Sequence, residues 1–121
     1  MKAKTNLTML CDFYELTMAN GYFQTGLKDR ICYFDVFYRS VPDKGGFSIA
    51  AGLAQVVEYI QDLTFDEEDV EYLRGKGCFS EEFLQYLLHF EFTGDIWAVP
   101  EGTPVFPGEP ILTVRAPAIQ A

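Results

Sequence analysis

The stretch from Leu10 to Phe23, LCDFYELTMANGYF, constrains the fold more than any other, because it reads as a helix that is apolar on two faces. Asp12 is placed to cap its first turn, the residues that follow are mostly good helix formers, and Gly26 stands where a left-handed stop belongs. At helical spacing Phe13, Leu16, Ala19, Asn20 and Phe23 fall along one face, and Tyr14, Met18, Gly21 and Tyr22 along another. A surface helix of a small domain needs a single apolar stripe. The second face therefore calls for another domain, another subunit or a ligand.

A chain of 121 residues has the length of one domain and enough residues for a core of its own. Its 18 acidic and 9 basic residues give a formal charge of −9, and no Lys/Arg cluster follows a helix or strand face, so nucleic acid and membrane partners are not expected. No apolar run is long enough to span a bilayer and no basic-then-apolar leader opens at Met1, which makes a cytoplasmic protein the default expectation. Cys11, Cys32 and Cys78 are odd in number and lack C-x-x-C spacing. They read as reduced thiols used as small apolar residues, with neither a disulfide framework nor a zinc site.

Residues 1–9 are polar and basic. From Ile31 to Arg39 the run ICYFDVFYR is β-branched and aromatic with Asp35 as its only internal charge, which predicts a strand covered on both faces, with Asp35 and Arg39 pointing the same way. Val41 to Gly46 is a loop whose glycine pair permits positive φ. It lacks the G-x-x-x-x-G-K-[ST] phosphate pattern and reads as a strand-to-helix turn. Ser48 is then expected to cap a core helix with Ile49, Leu53, Val56, Val57, Ile60 and Leu63 as its apolar stripe. Thr64-Phe65-Asp66-Glu67 has the T-x-x-E form of a capping box and opens a helix carrying Val70, Tyr72 and Leu73, closed by Gly75 and Gly77. A further helix follows Ser80, with Phe83, Leu84, Leu87 and Leu88 inward. The carboxylates from Asp66 to Asp69 suit the positive end of a helix better than a metal, and His89, the only histidine, reads as a helix-end residue.

From Gly94 onward the chain turns to short strands punctuated by Pro100, Pro104, Pro107, Pro110 and Pro117, which cannot all lie in the middle of one sheet. The fold class expected is α+β: helices packed on a mostly antiparallel sheet, with a Pro/Gly-rich β-hairpin region at the C-terminal end.

No nucleophile with a base, metal cluster or phosphate loop can be assembled from these residues. Tyr14 can present its ring to a flat ligand and Arg39 can fork onto a phosphate or carboxylate, although Tyr14 also reads as core and Arg39 as a surface charge.

Four stretches in this order over residues 8–121, DFYELTMANGYF, YFDVFYRSVP, GGFSIAAGL and VPEGTPVFPGEPILTVRAP, resemble the amino-terminal part of nicotinate phosphoribosyltransferases. The resemblance implies a single amino-terminal α+β domain over residues 1–121, with the family's α/β-barrel outside this chain, so the chain is expected to be an inactive fragment that self-associates through its uncovered helix face. It implies transfer of a phosphoribosyl group from phosphoribosyl pyrophosphate to nicotinate, coupled to ATP hydrolysis and requiring magnesium, in a homodimer. These residues themselves are expected to bind no cofactor and to include no catalytic residue. By position in the family's motif, Tyr14 would stack on the pyridine ring in the neighbouring subunit's barrel, Arg39 would approach the phosphates from the same side, and Asp12 would cap the helix and hold nearby basic groups. Glu15 and Gly21 match without a ligand role, and His89 does not correspond to the family's phosphorylated histidine, which lies on the barrel. FDVFYRSVP and GGFSIAAGL look more like the nicotinate branch than the nicotinamide one. An acidic protein-interaction module is the alternative of another class.

Overall fold

The computed structural model describes residues 5–121, so residues 1–4 of the polar amino terminus lie outside the described residues. In chain order the elements are α1 (Phe13–Gln24), β1 (Ile31–Val36), a 3₁₀ turn (Pro42–Lys44), β2 (Ser48–Ile49), α2 (Leu53–Asp62), α3 (Glu67–Arg74), α4 (Glu81–Leu88), β3 (Asp95–Ala98), β4 (Pro104–Val105) and β5 (Leu112–Pro117). The class is α+β, as expected. One antiparallel sheet has the order β1-β5-β3, and β2 pairs with β4 in a second. β5 occupies the centre because its run Leu112 to Ala116 offers an unbroken row of amides, with Pro117 confined to the last position, opposite Ile31. Gly94 lets β3 start hard against β5: a Cβ there would lie 2.6 Å from both the Ala116 Cβ and the Arg115 carbonyl.

The buried core is helical. Leu16 and Ala19 of α1, Val70 and Leu73 of α3, and Phe83, Leu84 and Leu87 of α4 meet around Phe65. Phe83 is fully buried, its ring 5.8 Å from that of Phe23 and 5.9 Å from that of Phe79. Asn20 is a polar residue on this buried face, and its bonds account for it. Its Oδ1 accepts from the Ser80 backbone N–H at 3.2 Å and its Nδ2 donates to the Cys78 carbonyl at 3.4 Å, which ties α1 to the start of α4.

Helix ends depart from expectation in three places. Asp12 holds the N-cap position of α1 with extended backbone, yet its side chain makes no capping hydrogen bond. The capping box of α3 is Asp66/Asp69 instead of Thr64/Glu67: the Asp69 N–H donates to Asp66 Oδ1 at 2.9 Å and the Asp66 N–H to Asp69 Oδ2 at 3.1 Å. Thr64 is engaged elsewhere, its N–H donating to Thr8 Oγ1 and its carbonyl accepting from Asn6. Ser48 caps nothing, because it lies in β2; α2 begins after Gly52, whose φ is +103°, and is capped by a residue distant in sequence, Glu101 Oε1 accepting from the Gly52 N–H at 2.8 Å. Asp66→Ala is expected to cost about 1 kcal/mol in urea unfolding, against less than about 0.5 kcal/mol for Asp12→Ala. Equal losses would contradict this difference in capping.

Other readings hold or shift locally. Ser80 Oγ accepts from the Phe83 N–H, and His89 ends α4, its Nδ1 2.9 Å from the Gln85 carbonyl. In the loop after β1 the positive φ values fall on Asp43 (57°) and Lys44 (56°), whereas Gly45 has φ −63°. Gly45 supplies space, since a Cβ there would lie 2.9 Å from Val41 Cγ1.

The largest departure is in coverage. β1 is exposed along nearly its whole length, with Tyr33 at 65% and Phe34 at 53% of their full accessibility. Its composition announced two covered faces, but it is an edge strand bonded only to β5. α2 contains no buried residue, so its apolar stripe is not part of the core. Cys11 and Cys78 are exposed rather than used as small core residues. No helix among the described residues is long and apolar enough to cross a membrane.

Candidate functional site

α1 presents the first part of the site. Leu16, Ala19 and Asn20 turn inward with Phe13 at the end of their face, half exposed and 5.7 Å from the Phe79 ring, which leaves Tyr14 and Met18 about half exposed on the outer side of the same helix. Tyr14 heads that outer surface. Hydrogen bonding to the Glu15 carboxylate, that carboxylate's charge and the charge of Asp12 push the Tyr14 phenol above its ordinary range, further from ionising at neutral pH, where any tyrosine is an uncharged hydroxyl on a flat apolar ring. The flank of α1 beside it borders an open cavity of about 350 Å³, shared by Met18, Tyr22, Phe34 and Tyr59. Tyr14 stands outside this cavity, on the open surface.

Arg39 forms the second part. β1 stops at Val36, so Arg39 lies beyond the strand and does not share its pleat with Asp35. Asp35 is engaged within the sheet, accepting from Thr113 Oγ1 at 2.6 Å. Among the described residues Arg39, like Arg30, is exposed and has no ion pair or side-chain hydrogen bond, whereas Arg74 is bound by Glu71 and Glu81 and Arg115 by Asp95. An exposed guanidinium with all its donors unspent is an anion-binding group. Asp12 flanks Tyr14 electrostatically and forms no ion pair among the described residues. Tyr14 and Asp12 are thus brought together at one helix end. Arg39 bonds to neither of them.

Two features escaped the reading of the sequence. On the outward face of the three-stranded sheet, Arg115 Nε donates to the Tyr33 hydroxyl at 3.1 Å and Arg115 Nη1 to Asp95 Oδ2 at 3.1 Å, forming one polar row across all three strands beside the half-exposed Trp97. Strand parity of Tyr33 and Asp35 was the available signal. On the inward face an apolar cavity of about 450 Å³ separates α2 from the sheet, lined by Val36, Val56, Ile60, Leu112 and Val114. This gap explains why the stripe of α2 is unburied.

Chemically, these parts can bind a flat ring at Tyr14 and an anion at Arg39. Among the described residues no three His, Cys, Asp or Glu side chains converge as metal ligands, and the Asp66 and Asp69 carboxylates are spent as caps.

The family model described as the nicotinate phosphoribosyltransferase (NAPRTase) N-terminal domain matches residues 9–121. A nicotinate phosphoribosyltransferase of Mycobacterium tuberculosis is 46% identical over 113 residues, which are 93% of this chain and 24% of that protein. A nicotinate phosphoribosyltransferase of Bacillus subtilis is 34% identical over 116 residues, 96% of this chain and 24% of that protein. The crystal structure of human nicotinic acid phosphoribosyltransferase superposes with a TM-score of 0.81 at 31% identity, covering 90% of this chain and 22% of that one. The chain therefore spans about a quarter of the length of the curated relatives it matches. On a match that runs from residue 9 to residue 121, the chain belongs to the nicotinate phosphoribosyltransferase N-terminal domain family.

Proposed function

We propose that this chain is the substrate-lining domain of a nicotinate phosphoribosyltransferase, an enzyme that joins nicotinate to the phosphoribosyl group of phosphoribosyl pyrophosphate and releases nicotinate mononucleotide and pyrophosphate. The observation that carries this reading is an exposed tyrosine ring on α1 together with an unpaired arginine after β1, in a chain of this family. In the proposed homodimer Tyr14 of one subunit covers the pyridine ring held by the other subunit's barrel, and Arg39 reaches the phosphates from the same side. Substitution at the anomeric carbon passes through an oxocarbenium-like state, so the protein's task is to clamp the pyrophosphate and align the ring nitrogen. Tyr14 restricts the tilt of the ring, and Arg39 adds charge where the leaving group gains it.

With a net charge of −9, the chain needs most of the cations that neutralise pyrophosphate to come from the rest of the enzyme. ATP and magnesium belong to the complete enzyme in this reading. Among the described residues no cluster of carboxylates fits a magnesium site.

In a complete enzyme carrying this domain, Tyr14→Ala is expected to raise the KM for nicotinate by about two- to tenfold with little change in the KM for phosphoribosyl pyrophosphate, the size of a stacking contact. Tyr14→Phe should retain most of the affinity. Steady-state kinetics with each substrate varied in turn decides it, and an unchanged nicotinate KM in the alanine variant would remove Tyr14 from the site.

A further inference from the structure

Arg39 has no side-chain partner to orient it, so its aim is set by the backbone that carries it. That backbone is held at successive points. Where β1 ends, the Ile111 N–H donates to the Val36 carbonyl at 2.8 Å. Two residues later Tyr38, half-buried, is fixed at both of its ends: its carbonyl accepts from the Gly108 N–H at 2.9 Å and its hydroxyl donates to the Val105 carbonyl at 2.6 Å. Gly108 presents that N–H from the turn Phe106 to Glu109, at a φ of +79° that favours glycine. The far end of the loop returns to the same place, since Ser48 of β2 pairs with Val105. Val105 is itself only 4% exposed. Both feet of the loop that bears Arg39 therefore rest on one buried residue of β4.

We infer that Tyr38 is a positioning residue, whose hydroxyl, locked onto the Val105 carbonyl, aims Arg39 at the phosphates of phosphoribosyl pyrophosphate. The inference rests on the anion-binding role proposed for Arg39 and adds the device that makes an unpaired surface arginine selective. The hydroxyl touches no substrate. Its contribution passes through the main chain of the next residue, which would otherwise swing with a loop of ten exposed or half-exposed residues, 38–47.

The test is a double-mutant cycle in the complete enzyme, with Tyr38→Phe introduced alone and into Arg39→Ala. Tyr38→Phe alone should raise the KM for phosphoribosyl pyrophosphate by about three- to tenfold, leave the nicotinate KM unchanged and lower the melting temperature by no more than about a few degrees. In the Arg39→Ala background it should add nothing, because the group being aimed is gone. Should Tyr38→Phe lower the melting temperature by more than that, Gly108→Ala, which strains the other anchor while its Cβ meets open space, is read in the same cycle. An equal effect in both backgrounds, or no effect of Tyr38→Phe where Arg39→Ala does raise the KM, overturns the positioning role and leaves Arg39 in place. An Arg39→Ala enzyme with unchanged KM overturns the assignment of Arg39 and this inference together.

Discussion

Replacing Arg39 with alanine in a complete enzyme of this type is expected to lower kcat/KM for phosphoribosyl pyrophosphate by about ten- to a hundredfold, the range for losing charge-assisted hydrogen bonds to an anion. The effect should be large because nothing among the described residues competes for this guanidinium, so in the proposed site all its donors are left for the substrate. Arg39→Lys should recover only part of the loss, since an ammonium keeps the charge and forfeits the planar fork. The loss should also fall unevenly on the two substrates, with the nicotinate KM little changed. A uniform loss with both substrates would point to a folding defect, and melting curves of the same preparations distinguish the two. Salt supplies a further reading: an exposed arginine acting on a phosphate should matter less at high ionic strength.

The second large effect concerns stability. Phe83→Ala should destabilise the domain by about 3–5 kcal/mol in urea unfolding, because the ring is fully buried and touches the rings of both Phe23 and Phe79. A domain of this size has about 5–15 kcal/mol in total, so the variant should lose between roughly a fifth and the whole of that stability. The comparison that gives this value meaning is Val56→Ala in α2. Val56 borders the 450 Å³ cavity and remains 37% exposed, so its truncation should cost well under half as much. Similar costs at the two positions would show that the core extends over α2 and the sheet, contrary to a core built from α1, α3 and α4.

Local chemistry was legible in the sequence and remote chemistry was not. The stop of α1 before Gly26, Ser80 ahead of α4 and His89 at its end could all be read because cap residues act within one turn of the helix, and Asp12 marks the start of α1 by position although its side chain makes no cap. The misreadings share one cause. Ser48 looked like a cap because its strand partner, Val105, lies far away in sequence, and the N–H of Gly52 is satisfied by Glu101, a residue in no local pattern. Around Thr64 two capping registers overlap in one acidic stretch. The Asp66/Asp69 pair prevails once Thr64 is bound to Thr8. β1 illustrates the limit most clearly: aromatic, β-branched composition shows that a strand is suited to being covered, while coverage itself depends on what packs against it. The same holds for the site. Tyr14 and Arg39 were singled out through family likeness and residue type, whereas the Tyr33–Arg115–Asp95 row required the register of three strands, and the clamp on Tyr38 required the fold of the β4–β5 turn.

The central claim is that Tyr14 and Arg39 of one subunit complete a site belonging to another, and subunit mixing tests it without any assumption about distances. The Arg39→Ala enzyme, defective in this domain alone, is dissociated and reassociated with a second variant inactivated only in its barrel. If sites are shared, mixed dimers hold one intact site each, and activity should return to about a quarter of the wild-type rate, the statistical yield of one good site in half of the dimers. If mixing restores nothing although mixed dimers form, each site is built within a single subunit and the claim of a shared site is wrong.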